Sequence, residues 1–183
     1  MSLTFYDCST APSPRRARMV IAEKRAPVQT VEVDLRTGEQ FSSDFMAINP
    51  RCTVPVLKLE DGATLCENAA IVRYLEEIFP DPPLLGTTPI EKARVAEWVW
   101  RAEFEGLTAI MEILRNTSKA MVDRAMPGPD KVAQIPELAE RGRARGERFI
   151  EALDDRLGET PWLGGETFSF ADITAYVFVE FAA

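Results

Sequence analysis

Between Pro80 and Pro89 the chain runs PDPPLLGTTP, and neither a helix nor an inner strand can pass through such a stretch. This break divides the 183 residues into two parts that differ in their pattern. Before it, strand and helix signals alternate. Leu3–Cys8 and Val28–Leu35 alternate as strands do. Ser13 and Pro14 suit the cap and first position of a helix that runs to about Arg25, with Ala17, Val20 and Ile21 on its apolar face. A short irregular helical piece is expected near Phe41–Ala47. Strands are expected at Thr53–Leu59 and Ala63–Cys66, around the turn Glu60-Asp61-Gly62. Ala70, Ile71, Tyr74, Leu75 and Ile78 then recur at helical spacing until Pro80. The order β-α-β-(α)-β-β-α predicts a mixed sheet.

After the break everything is helical. Thr88-Pro89-Ile90-Glu91 is a capping-box pattern opening a long segment to about Met121, bent at Gly106. PGPDK ends it. A second long helix is expected from Pro136 to about Leu157, with Leu138, Gly142, Gly146, Phe149, Ile150, Leu153 and Leu157 on one face. Gly142 and Gly146 cost helix propensity and are expected to permit close helix contact. Ser169-Phe170-Ala171-Asp172 starts the last helix, with Asp172 in a capping role. The expected class is therefore α/β followed by all-α, with units 1–80 and 89–183 and a linker at 81–88.

The chemistry is bounded most sharply by what is missing. There is no histidine, which excludes Ser-His-Asp and Cys-His catalysis and histidine metal sites. A formal charge of -8 argues against a nucleic-acid or membrane-surface binder. No apolar run is long enough to cross a bilayer, and the N-terminus lacks a signal-peptide pattern, so a cytoplasmic location is expected. Cys8, Cys52 and Cys66 form no CxxC pair and fit reduced thiols. Trp98, Trp100 and Phe104 fit packing, an interface or a pocket better than a cofactor box. Two features ask for more than packing. Pro55 stands inside an expected strand, marking either an edge or an opening for a peptide-like ligand. Glu67-Asn68 stands at a helix start, with Asn68 as its expected cap.

Three blocks, in this order and spacing, carry a resemblance: NPRCTVPVL, ENAAIVRYL and GGETFSFADI. Together they resemble the cytosolic glutathione transferases, and YDCSTAPSPRRARMVIAEK is most similar to bacterial and fungal members. The resemblance spans almost the whole chain. It implies a thioredoxin-like first domain with a mixed sheet, an all-helical second domain, a homodimer, and detoxification by conjugating glutathione to small hydrophobic electrophiles, with no metal. It makes Pro55 a cis-proline that presents the backbone of Val54 to glutathione's cysteinyl part, a strand-addition contact. Glu67 would meet the γ-glutamyl ammonium. Asn68, where the family usually has serine, would meet the carboxylate at a helix start. Gln40 and Thr53 are candidates for the glycyl end.

For the thiol, the resemblance offers Tyr6 at the tyrosine-type position and Ser13 near the serine-type one. The free donors of a helix start favour Ser13, with Arg15 and Arg16 in support if they point inward. An ordered water with Asn116, Thr117 and Ser118 is a further route, and Asn116 and Ser118 are candidates for the second substrate. Cys52 stands where the family usually has glycine. The chain ends where relatives continue with more helices, so the resemblance implies an incomplete chain. Two other readings stay open: a non-catalytic glutathione- or partner-binding module of the same fold, and a glutathione-dependent thiol-disulfide oxidoreductase using Cys8.

Overall fold

A computed structural model describes residues 2–182. The chain forms two compact units, one reaching to Pro82 and including Pro127–Pro129, the other comprising Pro83–Met126 and the chain from Asp130.

The first unit is built on β1 (Leu3–Asp7), α1 (Pro12–Glu23), β2 (Val28–Glu32), α2 (Ser43–Ile48), β3 (Val56–Lys58), β4 (Thr64–Cys66) and α3 (Asn68–Ile78). The sheet order is β2-β1-β3-β4, with β1 parallel to β2 and antiparallel to β3. This is the mixed sheet that the element order predicts. Alternation along β1 buries Leu3, Phe5 and Asp7 on one face. Tyr6 turns to the other face, where Val33, Phe45 and Val56 form an apolar cluster that also takes in Val54 and Cys66. Helices α1 and α3 pack on each other through faces that bury Ala17, Val20, Ile71, Val72 and Leu75. Side chains such as Phe5 and Leu57, fully withdrawn from water, contribute roughly 1.5–3 kcal/mol each.

Three local expectations change. Pro55 is not within a strand: β3 begins one residue later and lies inside the sheet, so the edge-strand explanation fails. Proline has no N–H to give a ladder, and the strand starts where donors resume. Helix α1 starts at Pro12 with Ala11 as its cap, so Ser13 sits in the first turn rather than capping it. Helix α3 starts at Asn68 with Glu67 in the cap position, so Asn68 does not cap its own helix either.

The second unit holds α4 (Pro89–Arg101), α5 (Thr108–Thr117), α6 (Glu137–Glu159) and α7 (Phe170–Ala182). The Thr88–Glu91 capping box forms as expected: Thr88 Oγ1 accepts from Glu91 N, and Glu91 Oε2 accepts from Thr88 N. The expected bend at Gly106 is instead a π-helical stretch, Ala102–Leu107, between α4 and α5. It lets Gly106 lie against the edge-to-face pair Phe149 and Phe178, where a Cβ would come within 2.8 Å of the Phe149 ring. Asp172 acts structurally, accepting from Ser169 N and Oγ and from Leu163 N. Trp98 is buried beneath the Arg101 guanidinium, whereas Trp100 and Phe104 stack on each other half-exposed.

On α6 the buried stripe is Ala139, Gly142, Gly146, Phe149 and Leu153. Ile150 and Leu157 are half-exposed, so the apolar face is narrower than its composition implies. The two glycines also differ. A Cβ on Gly142 would lie 2.6 Å from the Ala109 carbonyl oxygen, whereas one on Gly146 would be 3.9 Å from its nearest neighbour. Gly142→Ala is therefore expected to destabilise by about 1–3 kcal/mol through overpacking against backbone. Gly146→Ala is expected to be stabilising by up to about 1 kcal/mol through helix propensity. Chemical denaturation of the pair checks this, and equal losses at both positions would contradict the packing.

Candidate functional site

The first unit brings the starts of two helices together. Pro12 and Pro14 carry no N–H, so Ser13 supplies the free first-turn donor of α1. Asn68, at the start of α3, donates from Nδ2 to both the Ser13 carbonyl oxygen and Ser13 Oγ, each at 3.0 Å. Asn68 is 2% exposed, and its Oδ1 is buried without a hydrogen-bond partner.

A second wall is the turn that leads into β3. Asn49, 1% exposed, organises it: Nδ2 donates to Thr53 O and Oγ1, Oδ1 accepts from Arg51 N, and its carbonyl accepts from Cys52 N. Cys52 takes φ 55°, a region that favours glycine. The Val54–Pro55 peptide is cis. Among the described residues, no hydrogen bond uses the N–H or C=O of Val54, so both groups are unclaimed.

Glu67 completes the group. Its backbone holds φ 76° and ψ 136°, a sparsely populated conformation for a residue with a Cβ, and such outliers cluster at ligand sites. Its exposed carboxylate pairs with Arg51 at 2.7 Å. Sequence reasoning missed Asn49 and Arg51, although Asn-Pro ahead of the turn was a visible signal for the first. Burial, and then the Glu67 carboxylate, push the Cys66 thiol up, which disfavours its thiolate.

The other expected site residues lie in varied surroundings. The Tyr6 ring packs edge-on against Phe45 in the apolar cluster. Gln40 is 3% exposed, with its carbonyl end turned into the protein. Thr53 is held by Asn49, as above. In the second unit, Asn116 Nδ2 donates to the Glu112 carbonyl and Oδ1 accepts from Ile135 N, so both ends of its amide serve helix α5 and the chain ahead of α6. Ser118 Oγ accepts from Ala120 N, and Thr117 Oγ1 donates to the Ile113 carbonyl. Asn116 and Ser118, the candidates for a second substrate, thus have partners within their own unit, while the Ser118 hydroxyl, which accepts from Ala120 N, keeps its hydrogen to donate. Cys8 is 4% exposed, with its sulfur 3.5 Å from Thr10 Oγ1.

A four-stranded mixed sheet with a cis-proline turn beside the starts of two helices is a thioredoxin-like architecture. Family models for the glutathione S-transferase N-terminal and C-terminal domains match residues 10–78 and 136–183. Glutathione S-transferase 2 of Saccharomyces cerevisiae is 34% identical over 184 residues, spanning 99% of this chain and 76% of that protein. A solved structure of a glutathione S-transferase domain-containing protein from Marinobacter aquaeolei VT8 is 35% identical, covers 100% of this chain and 86% of that one, and has a TM-score of 0.87. A disulfide-bond oxidoreductase of Escherichia coli is 28% identical over 183 residues, spanning 95% of this chain and 79% of that protein. The chain belongs to the glutathione S-transferase family. Among the described residues, no helix is long and apolar enough to cross a membrane, and no cluster of acidic or cysteine side chains has the grouping of a metal site.

Proposed function

We propose that this protein binds glutathione in its first unit and conjugates its thiolate to small hydrophobic electrophiles. The observation that carries the reading is the unclaimed main-chain N–H and C=O of Val54 beside Pro55. That pair can take the cysteinyl residue of glutathione as an added strand takes its neighbour. The γ-glutamyl ammonium would meet Glu67 in place of Arg51, and its carboxylate the first N–H groups of α3, where the helix dipole is positive. The thiol then lies toward the start of α1, where the Ser13 hydroxyl and N–H favour the anion. The thiol proton leaves to solvent. The sulfur electron pair forms a bond to the electrophilic carbon, and either a leaving group departs with its bonding pair or the adduct takes up a proton.

The oxidoreductase reading through Cys8 is less well supported, because that thiol is buried against Thr10 and not offered to a disulfide. A homodimer and a cytoplasmic location belong to the same proposal; the half-exposed Trp100–Phe104 stack is an apolar surface that supports a second copy.

The test is an ultraviolet pH titration of protein-bound glutathione, with the protein's three cysteines subtracted. A thiolate band that persists a unit or more below the ~8.5 of a free cysteine thiol is the expected result. Saturable binding with an unshifted thiol would leave a binding module in place of a transferase.

A further inference from the structure

The Asn68 side chain was expected to hold glutathione's carboxylate, but its hydrogen bonds point elsewhere. We propose that Asn68 is a positioning residue for Ser13: it fixes the serine hydroxyl so that its hydrogen is directed at the glutathione sulfur. The proposal rests on the transferase reading above.

A side-chain amide has two N–H donors, and both partners of Asn68 Nδ2 belong to Ser13. One partner is a carbonyl oxygen, which can only accept, so the nitrogen end must be the one facing Ser13. The other end, Oδ1, is an acceptor buried without a partner, and an acceptor cannot bind a carboxylate. At 2% exposure the side chain cannot serve glutathione's carboxylate without abandoning Ser13. The backbone N–H groups at the start of α3 remain for that role.

The consequence for Ser13 follows from hydroxyl chemistry. A serine oxygen accepts through its lone pairs and donates one hydrogen. With Asn68 donating into the oxygen, that hydrogen must find its acceptor elsewhere. A hydrogen bond received by the oxygen also polarises the O–H, strengthening the bond it gives to an anion. The contact to the Ser13 carbonyl ties the same amide to the backbone of α1, so hydroxyl and helix start are held as one piece.

The test is a double-mutant cycle read by thiolate titration of bound glutathione, using Asn68→Ala, Ser13→Ala and the double variant. Asn68→Ala is expected to raise the bound thiol's pKa by about 0.5–1 unit, a three- to tenfold loss of thiolate at a fixed acidic pH. In the Ser13→Ala background it is expected to add no further shift, because the group it positions is gone. Glutathione affinity measured where the thiol is protonated is expected to stay the same. If circular dichroism shows that the alanine variant is unfolded, Asn68→Ser carries the same comparison, since one short hydroxyl cannot reach both Ser13 oxygens. An affinity loss of equal size in both backgrounds with an unmoved thiol pKa would make Asn68 a direct carboxylate ligand. That would overturn the positioning role while the transferase reading stands. An unshifted thiol in the unmodified protein would overturn both.

Discussion

Ser13→Ala is expected to slow conjugation of a model electrophile ~100-fold at pH ~6.5 while glutathione still binds. Removing one preorganised donor from a developing anion costs about this much in other enzymes. The hydroxyl matters only once the sulfur carries charge, so the loss belongs in kcat and in the acidic limb of the pH profile. Above the thiol's unassisted pKa of ~8.5, thiolate forms without help, and the variant is expected to approach the unmodified protein. The sign follows from linkage: a donor to the anion lowers the thiol pKa, and its removal raises it. A pH–rate profile of both proteins checks this. An unchanged rate at acidic pH would remove the Ser13 hydroxyl from the chemistry and leave the Ser13 backbone N–H as the stabilising group.

Lys24→Met is expected to give the largest loss of stability, about 3–5 kcal/mol. The Lys24 side chain is fully buried and donates to the carbonyls of Phe79 at 2.7 Å and Pro82 at 2.9 Å, while facing the Glu76 carboxylate at 2.6 Å. Its ammonium therefore closes the C-terminal end of α3 and holds the chain that leaves it. Methionine keeps most of the apolar stem but removes every donor, so two inward carbonyls lose their partner and Glu76 loses its facing cation. At roughly 2–4 °C per kcal/mol for a chain of this size, a fall in melting temperature of about 6–20 °C is expected. Lys24→Met/Glu76→Gln is expected to recover part of the loss, because the partly buried Glu76 side chain then carries no uncompensated charge. A shift below about 2 °C in the single variant would mean that water, rather than Lys24, satisfies those carbonyls.

The parts of the fold legible in the sequence were those with local causes. Alternation predicted the strands, the Thr88–Glu91 pattern predicted a capping box that forms with both expected donors, and in the Ser169–Asp172 pattern Asp172 accepts from Ser169 N while the Ser169 hydroxyl accepts from Ala171 N. The errors also have local form. Both helix starts at the site were misplaced, α1 by two residues and α3 by one, because Pro12 and Asn68 already adopt helical geometry and the residues before them occupy the cap positions. Gly142 and Gly146 look alike in sequence, yet only the first has a backbone carbonyl within 2.6 Å of where its Cβ would be.

The candidate site shows the same division more clearly. The motif around Pro55 and Glu67 was visible as spacing and resemblance, because proline chemistry and helix starts are properties of a few consecutive residues. The roles of Asn49, Arg51 and Asn68 were not visible. An asparagine side chain reaches equally well for a ligand, a turn or another helix, and its choice depends on what lies within about 3 Å. For Asn68 the deciding neighbour is 55 residues away. Taken alone, the sequence determined the two-part architecture, the mixed sheet and, through the missing histidine, the kinds of chemistry excluded. Hydrophobic period, backbone donors and side-chain inventory are set residue by residue. Only the tertiary structure decided which donors face one another, because hydrogen bonds are short-ranged and their partners are brought together by packing rather than by sequence order.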